Sequence, residues 1–404
     1  MHESSCVEIS NKPLSRLLSG FILFSSAFFF LYCLYSQEQN WDMLGYSASA
    51  VSIEDKDPAY IHDYVYRELR NYVSDEDFEK LTNGDSYRET MHKDPDAFIQ
   101  QVPYYKIRII FVSLIFILMS LGVNVFAAGH IISAAAAALG FIIFFYAYKK
   151  ITEPAFWVLM PFYFILCGVH DAGQGVSADT LAFLWFGLIC YSFINKHWAI
   201  FPLLVVSTLI RTDMVVFVAL VLCYYFIFRP DLRSRSLITA VITAILYIFV
   251  NKVVGNYGWN TVFYFVFISD MQATHPDEFS KLGLSMQQYL ATAMNNLRLI
   301  LPENKFWLFV VNVLLQLILF LNLKSVSLNN KKEKIITLAM DPVISLTIIC
   351  CGYIVLHYLL FPALWPRFFI GQYMIASLGL LYTLTCLLNK TVLSKDSSGD
   401  FPKP

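Results

Sequence analysis

Apolar runs of about 20 residues, the length that spans ~30 Å of hydrocarbon, recur along the entire 404-residue chain. A water-soluble core of this size buries many apolar side chains without needing them in such uninterrupted stretches. With 57% apolar and only 15% charged residues, against about 25% charged in an ordinary globular chain, the sequence implies lipid as its solvent. The first run, 17–35, follows Lys12 and Arg16. It is too long for a secretory signal and no small-residue cleavage pattern follows it, so it reads as a retained first span. Further candidate spans fall at 107–127, 130–148, 155–170, 180–195, 198–210, 213–228, 237–255, 305–323, 342–361 and 368–388. Several are shorter than the ~17 residues of a full crossing, as expected of half-helices or re-entrant segments buried against neighbours. The expected fold is an all-α polytopic membrane protein of about ten or eleven transmembrane or half-spanning helices, with a large first external loop containing short helices.

The division that follows is a cytoplasmic N-terminal tail (1–16), a first transmembrane helix (17–35), a large external acidic loop (36–106), a transmembrane helix bundle (107–255), a second external loop (256–304), C-terminal transmembrane helices (305–388) and a cytoplasmic tail (389–404). Basic connections at Lys149–Lys150, Lys196–His197, Arg229–Arg235, Lys324–Lys334 and from Lys390 onward are each separated by two candidate helices. The positive-inside rule therefore places them all on the cytoplasmic side. Two full crossings between 107 and 148 would bring the acidic loop to that side as well, so this stretch is expected to make an odd number of crossings. A net charge of −1 supplies no basic field for nucleic acid. The eight cysteines leave 36–106 without any, which argues against a disulfide framework or a cysteine-ligated zinc site. The expected location is integral, in a bacterial inner membrane with the active face outward.

Polar chemistry then collects at the external turns. In Asn40-Trp41-Asp42-Met43-Leu44-Gly45-Tyr46 a carboxylate emerges close to the end of the first span, either as a solvated acid beside an interfacial Trp or as a general base at the membrane surface. Asp55 and Asp57 stand in D-x-D spacing, which suits a shared divalent cation as well as a solvated turn before a helix. His62 follows in a helical run over 59–73, as an acid–base group or an ordinary surface histidine. Asp75 to Glu79 reads as a helix-capping cluster. In the polar turn 170–179, Ser177 to Asp179 suit the cap of the next helix, whereas His170 with Asp171 requires water or a polar cavity. Arg211-Thr212-Asp213 interrupts two apolar runs where each ion costs about 2.5–3.5 kcal/mol at the bilayer centre, so a local ion pair and a ligand contact are both open. Arg367 opens the last span as a snorkelling anchor or as a guanidinium gripping a phosphate.

Taken together, the chain resembles the GT-C superfamily of membrane glycosyltransferases, which use polyprenyl-phosphate sugars. The likeness rests on a first span followed at once by a large loop beginning Trp41-Asp42, on Gln101-Val102-Pro103-Tyr104-Tyr105-Lys106-Ile107-Arg108 leading into the second span, and on Ser177-Ala178-Asp179-Thr180-Leu181-Ala182 opening a later helix. Leu209-Ile210-Arg211-Thr212-Asp213 and Trp365-Pro366-Arg367-Phe368-Phe369 complete it. The resemblance implies Asp42 as the catalytic base and Arg367, then Arg211, as ligands of the lipid phosphate, with Tyr46, His62, His170 and Asp171 as further candidate substrate contacts. It implies a polyprenyl-phosphate-linked sugar as donor, a lipid, glycan or other hydroxyl as acceptor, and membrane lipid as a partner. It leaves metal dependence open, with a divalent cation on Asp55 and Asp57 as the candidate cofactor. The short stretch after the last span lacks the soluble domain of the oligosaccharyltransferases, which weighs against a protein acceptor.

Three other readings compete. An envelope polysaccharide polymerase would use arginines in two external loops, and here the second loop offers only Lys281 and Arg298. A transporter or flippase would need paired polar breaks in two repeated halves, and no internal repeat is visible. A scaffold without chemistry would be indifferent to substitution of Asp42 or Arg367.

Overall fold

The computed structural model describes residues 12–279, 282–300, 302–325, 341–363 and 365–396. Lys281, most of the Lys324–Lys334 connection, residues 1–11 and the tail from 397 lie outside the described residues. Every regular element among the described residues is helical. Among the described residues, six helices are long and apolar enough to cross a membrane: Pro13–Tyr35, Val125–Tyr148, Pro230–Val254, Asn304–Asn322, Pro342–Leu360 and Pro366–Asn389. The protein is a polytopic helical membrane protein.

Helix α1 (Lys12–Tyr35) leads into a cap of short helices: α2 (Asp42–Val51), α3 (Pro58–Tyr72), α4 (Asp75–Asn83), α5 (Ser86–Lys93), α6 (Pro95–Ile99) and α7 (Val102–Lys106). Part of the acidic character of this region is capping chemistry. The Asp57, Asp85 and Asp94 side chains accept from the first free backbone N–H groups of α3, α5 and α6, and Ser74 does so for α4, satisfying donors that have no partner within the helix. Pro58 and Pro95 occupy first-turn positions, where a missing N–H costs nothing. Leu69, Leu81, Met91 and Phe98 are fully buried and give the cap its own apolar centre.

The bundle consists of α8 (Ile109–Ser120), α9 (Val125–Tyr148), α10 (Met160–Leu166, preceded by a 3₁₀ segment Pro154–Leu159), α11 (Val169–Gln174), α12 (Ala178–Ile194), α13 (Ile200–Ile210), α14 (Met214–Phe228) and α15 (Arg233–Val254). The second loop holds α16 (Trp259–Phe263, continued by the π-type turn Tyr264–Ile268), α17 (Pro276–Phe279) and α18 (Met286–Ile300). Among the described residues three long helices follow: α19 (Asn304–Ser325), α20 (Pro342–Leu360) and α21 (Ile370–Asp396).

Helix α8 settles how the chain alternates between the two ends of the bundle. It is bent by 114° from the segment Pro95–Lys106, and its 12 residues cover only about 18 Å. Its start is tied to the cap by Arg108 donating to the Tyr104 carbonyl. Just past its end, Asn124 donates to Glu68 of α3 at 2.9 Å. Both ends therefore lie against the cap, and the stretch 107–148 traverses the bundle once, through α9. From there the passes alternate. Helices α9 and α12 run parallel, with Ser177 N on Ser133 Oγ at 3.1 Å near their starts. Farther along, Gly140 lies against Phe183, where a Cβ would come within 2.5 Å of the ring. Helix α13 returns to bring Arg211 to Asp179. Past the end of α15, Tyr257 donates to Gln100 of the cap at 3.0 Å. Lys305 at the start of α19 meets Asp171 at 2.8 Å, and Glu153 N donates to Thr385 at 2.9 Å at the far end.

Candidate functional site

Six ionisable side chains, drawn from five places in the sequence, form one chain of contacts at the cap end. Asp42 comes from the first turn of α2 and Asp179 from the first turn of α12. Arg211 and Asp213 come from the break between α13 and α14, His357 from the last turn of α20, and Arg367 from the 3₁₀ turn Pro366–Phe369 that opens α21. Helices that end at the same level deliver their terminal residues to one place, which is how an apolar bundle assembles a charged site without carrying charges along its length.

The outer pair is Asp42 with Arg367. Arg367 Nη1 donates to Asp42 Oδ2 at 2.6 Å, and Tyr105 Oη donates to Asp42 Oδ1 at 3.3 Å. Tyr105 reaches this position because residue 45, one turn after Asp42, is glycine: a Cβ there would meet the Tyr105 ring at 2.2 Å. Tyr46 is buried below, edge-on to Tyr105 and Phe111 at 5.1 and 4.7 Å. The Asp42 and Arg367 side chains keep 21% and 39% of their exposure, so a ligand can reach them. Arg367 lies over Trp365 and Phe368 at 5.8 and 5.6 Å.

The inner group is closed. Asp179 accepts from Arg211 Nη1 and from its own cap residue Ser177, whose Oγ lies at 2.7 Å, and stands 3.5 Å from Arg367 Nε. Arg211 makes a two-pronged contact to Asp213, Nε to Oδ1 at 3.0 Å and Nη2 to Oδ2 at 2.6 Å, with its guanidinium 4.4 Å from the Phe368 ring centre. Asp213 also accepts from Tyr353 at 3.2 Å and faces His357 Nε2 at 3.3 Å. Arg211 is only 4% exposed, and both edges of its guanidinium are occupied by carboxylates. Across the six side chains of the whole site, three carboxylates face two guanidiniums and the His357 ring.

The other sequence candidates lie elsewhere. Asp55 Oδ1 accepts from Asp57 N at 2.9 Å, and Asp57 Oδ1 from Ala59 N at 3.3 Å; both are turn and cap groups, and no cluster of three His, Cys, Asp or Glu suited to a metal occurs among the described residues. His62 packs inside the cap, its Nε2–H donating to the Met91 carbonyl at 3.1 Å, between Tyr66 and Phe98. Burial lowers its pKa from the usual histidine value, against the opposing effect of its hydrogen bonds to the Met91 and His92 backbone and the smaller pull of Asp63 and Asp94. His170 and Asp171 lie on α11 rather than in an open turn. His170 Nε2 is 3.1 Å from Asp171, which is clamped by Lys305, forming a separate ionic tie between α11 and α19.

Sequence reasoning passed over Tyr353 and His357 because both sit inside an apolar run. A lone histidine within a candidate span is itself a signal, since ionisable groups at membrane depth require partners. No family model matches this chain, and no curated protein or solved structure matches it either.

Proposed function

We propose that the protein is a membrane glycosyltransferase of the GT-C kind, moving a sugar from a polyprenyl-phosphate carrier to an acceptor hydroxyl, with Asp42 as the base and Arg367 as the phosphate ligand. The observation that carries this reading is the contact between Asp42 and Arg367, separated by 325 residues. It pairs an accessible carboxylate with an accessible guanidinium at one membrane-level end of the bundle. A donor phosphate that draws Arg367 Nη1 onto its own oxygens leaves Asp42 free to take a proton. The acceptor oxygen then forms its bond to the sugar C1 while the C1–O bond to phosphate breaks. Its proton passes to the Asp42 carboxylate, and the carrier phosphate leaves with the bonding pair, its charge held by Arg367. Asp179, held between Arg211 and Arg367, fixes the guanidinium in place, so in this reading Arg211 sets the field and the position of the site rather than gripping phosphate itself.

The basic turns at Lys149–Lys150, Lys196 and Arg229–Arg235 gather at the bundle end away from the site. Under the positive-inside rule this supports an outward-facing site, and a bacterial inner membrane is the compartment we propose. Incubation of the full chain in lipid nanodiscs with a panel of polyprenyl-phosphate sugars tests the reading. One donor should raise the melting temperature of the wild type and of Asp42→Asn but not of Arg367→Ala. Turnover, read as donor loss by mass spectrometry, should vanish in Asp42→Asn. Full turnover by Asp42→Asn would remove the base from the scheme, and no response to any donor in folded protein would favour transport or scaffolding.

A further inference from the structure

Helix α18 has three distinct faces, and only two are accounted for by protein and water. One face rests on the end of α20: Tyr289 donates to the Leu359 carbonyl, Tyr358 donates to the Ala293 carbonyl at 2.5 Å, and Tyr289 packs by Phe263 at 5.8 Å. Another is polar and exposed over Gln288, Asn295 and Arg298, with the exposed Leu299 at its C-terminal end. Between them runs a stripe of Met286, Leu290, Met294 and Leu297, each more than half exposed, at the spacing that aligns side chains along one side of a helix. Four large apolar side chains left in water forgo about 1.5–3 kcal/mol each, so a partner must cover them.

The surroundings identify that partner. Helix α18 leads directly into α19, whose Trp307, Val311 and Leu314 are exposed, and it sits against α20, whose Val355, Leu359 and Leu360 are exposed too. These belong to helices apolar and long enough to cross a bilayer, so the stripe continues an apolar belt that lipid covers. We propose that α18 lies in the plane of the membrane at the cap end, its stripe seated at the boundary of headgroups and acyl chains and Arg298 at the level of the lipid phosphates. This fixes the second loop to the lipid surface beside the end of α20, where α18 is held by Tyr289 and Tyr358. The inference stands on the membrane architecture and is independent of sugar transfer.

The test uses the full chain in phospholipid nanodiscs, with Cys223→Ser as the background and a fluorescent label at Met294→Cys or, separately, at Asn295→Cys. Both positions are exposed, so labelling disturbs no packing, and the unsubstituted background is labelled in parallel to subtract other cysteines. The label at 294 should lose more than half of its emission to lipids carrying a shallow nitroxide and little to aqueous iodide, with the reverse at 295. Quenching of 294 by iodide to the same degree as 295 would overturn the proposal. So would shielding of 294 from both quenchers, which would mean that protein, such as a second copy of the chain, covers the stripe.

Discussion

Arg211 and Arg367 show how position alone gives one residue type two roles. Arg211 is buried with a carboxylate on each edge, and removing one partner of a buried ionic group costs about 3–5 kcal/mol because the others stay desolvated and unpaired. Arg367 makes its strongest contact to a partly exposed carboxylate, where an ion pair contributes about 0.2–1 kcal/mol. Arg211→Ala should therefore destabilise the protein by several kcal/mol, whereas Arg367→Ala should leave stability within about 1 kcal/mol of wild type. Denaturant unfolding in detergent micelles checks both. Equal losses in the two variants would contradict the division into an inner structural group and an outer accessible pair.

At the scale of elements, the cap between α1 and α8 is a small helical unit with its own buried centre, and two histidines tie its stability to pH. Burial is the largest cause lowering the pKa of both His62 and His92. His92 is pushed down further by the neighbouring His62 and by Lys93, and Glu79 opposes the shift. A histidine held below its unfolded value takes up protons more readily in the unfolded state, so its contribution is fully present above the ordinary histidine pKa of about 6.5 and is lost as pH falls below it. Amide hydrogen exchange across 58–99 in nanodiscs should show less protection at pH 5.5 than at pH 7.5, and His62→Gln should shrink the difference. Unchanged protection would mean that neither ring is held neutral by the cap.

For the whole molecule, the turn of α8 against the cap decides on which side every later connection falls. Because α8 begins and ends at that end, Ser120→Cys and Asp75→Cys should react with a membrane-impermeant thiol reagent from the same side, and Lys150→Cys from the other. Reaction of Ser120→Cys together with Lys150→Cys would make α8 a crossing and reverse the orientation of the cap relative to the bundle. The same arrangement explains why the site lies at the ends of helices. Asp42, Asp179 and Arg367 all sit in first turns, and the Arg211–Asp213 pair fills the break between α13 and α14, so no charge has to be carried through the apolar interior.

Much of this is written in local pattern. Helix class follows from the length of the apolar runs, and the ends of the crossing segments fall within a few residues of where the runs stop, as at 130–148 against Val125–Tyr148 and 342–361 against Pro342–Leu360. The capping reading of Asp75 to Glu79 agrees with the structure, where Ser74 caps α4 and Asp75, Glu76 and Asp77 occupy its first turn, because a cap depends only on its nearest neighbours. Asp42, Arg211 and Arg367 could be singled out because a charge beside an apolar run always demands an explanation. What the sequence could not supply is partnership over distance. That Asp42 meets Arg367, that Asp179, which stands behind the cap residue Ser177 rather than capping the helix itself, joins two arginines, and that His357 belongs to the same chain of contacts depend on which helix ends the fold brings level. The course of α8 was likewise undecided, since a twelve-residue apolar helix satisfies its own backbone hydrogen bonds equally well across the bundle or along its end. Only packing against Glu68 and the cap tells the two apart.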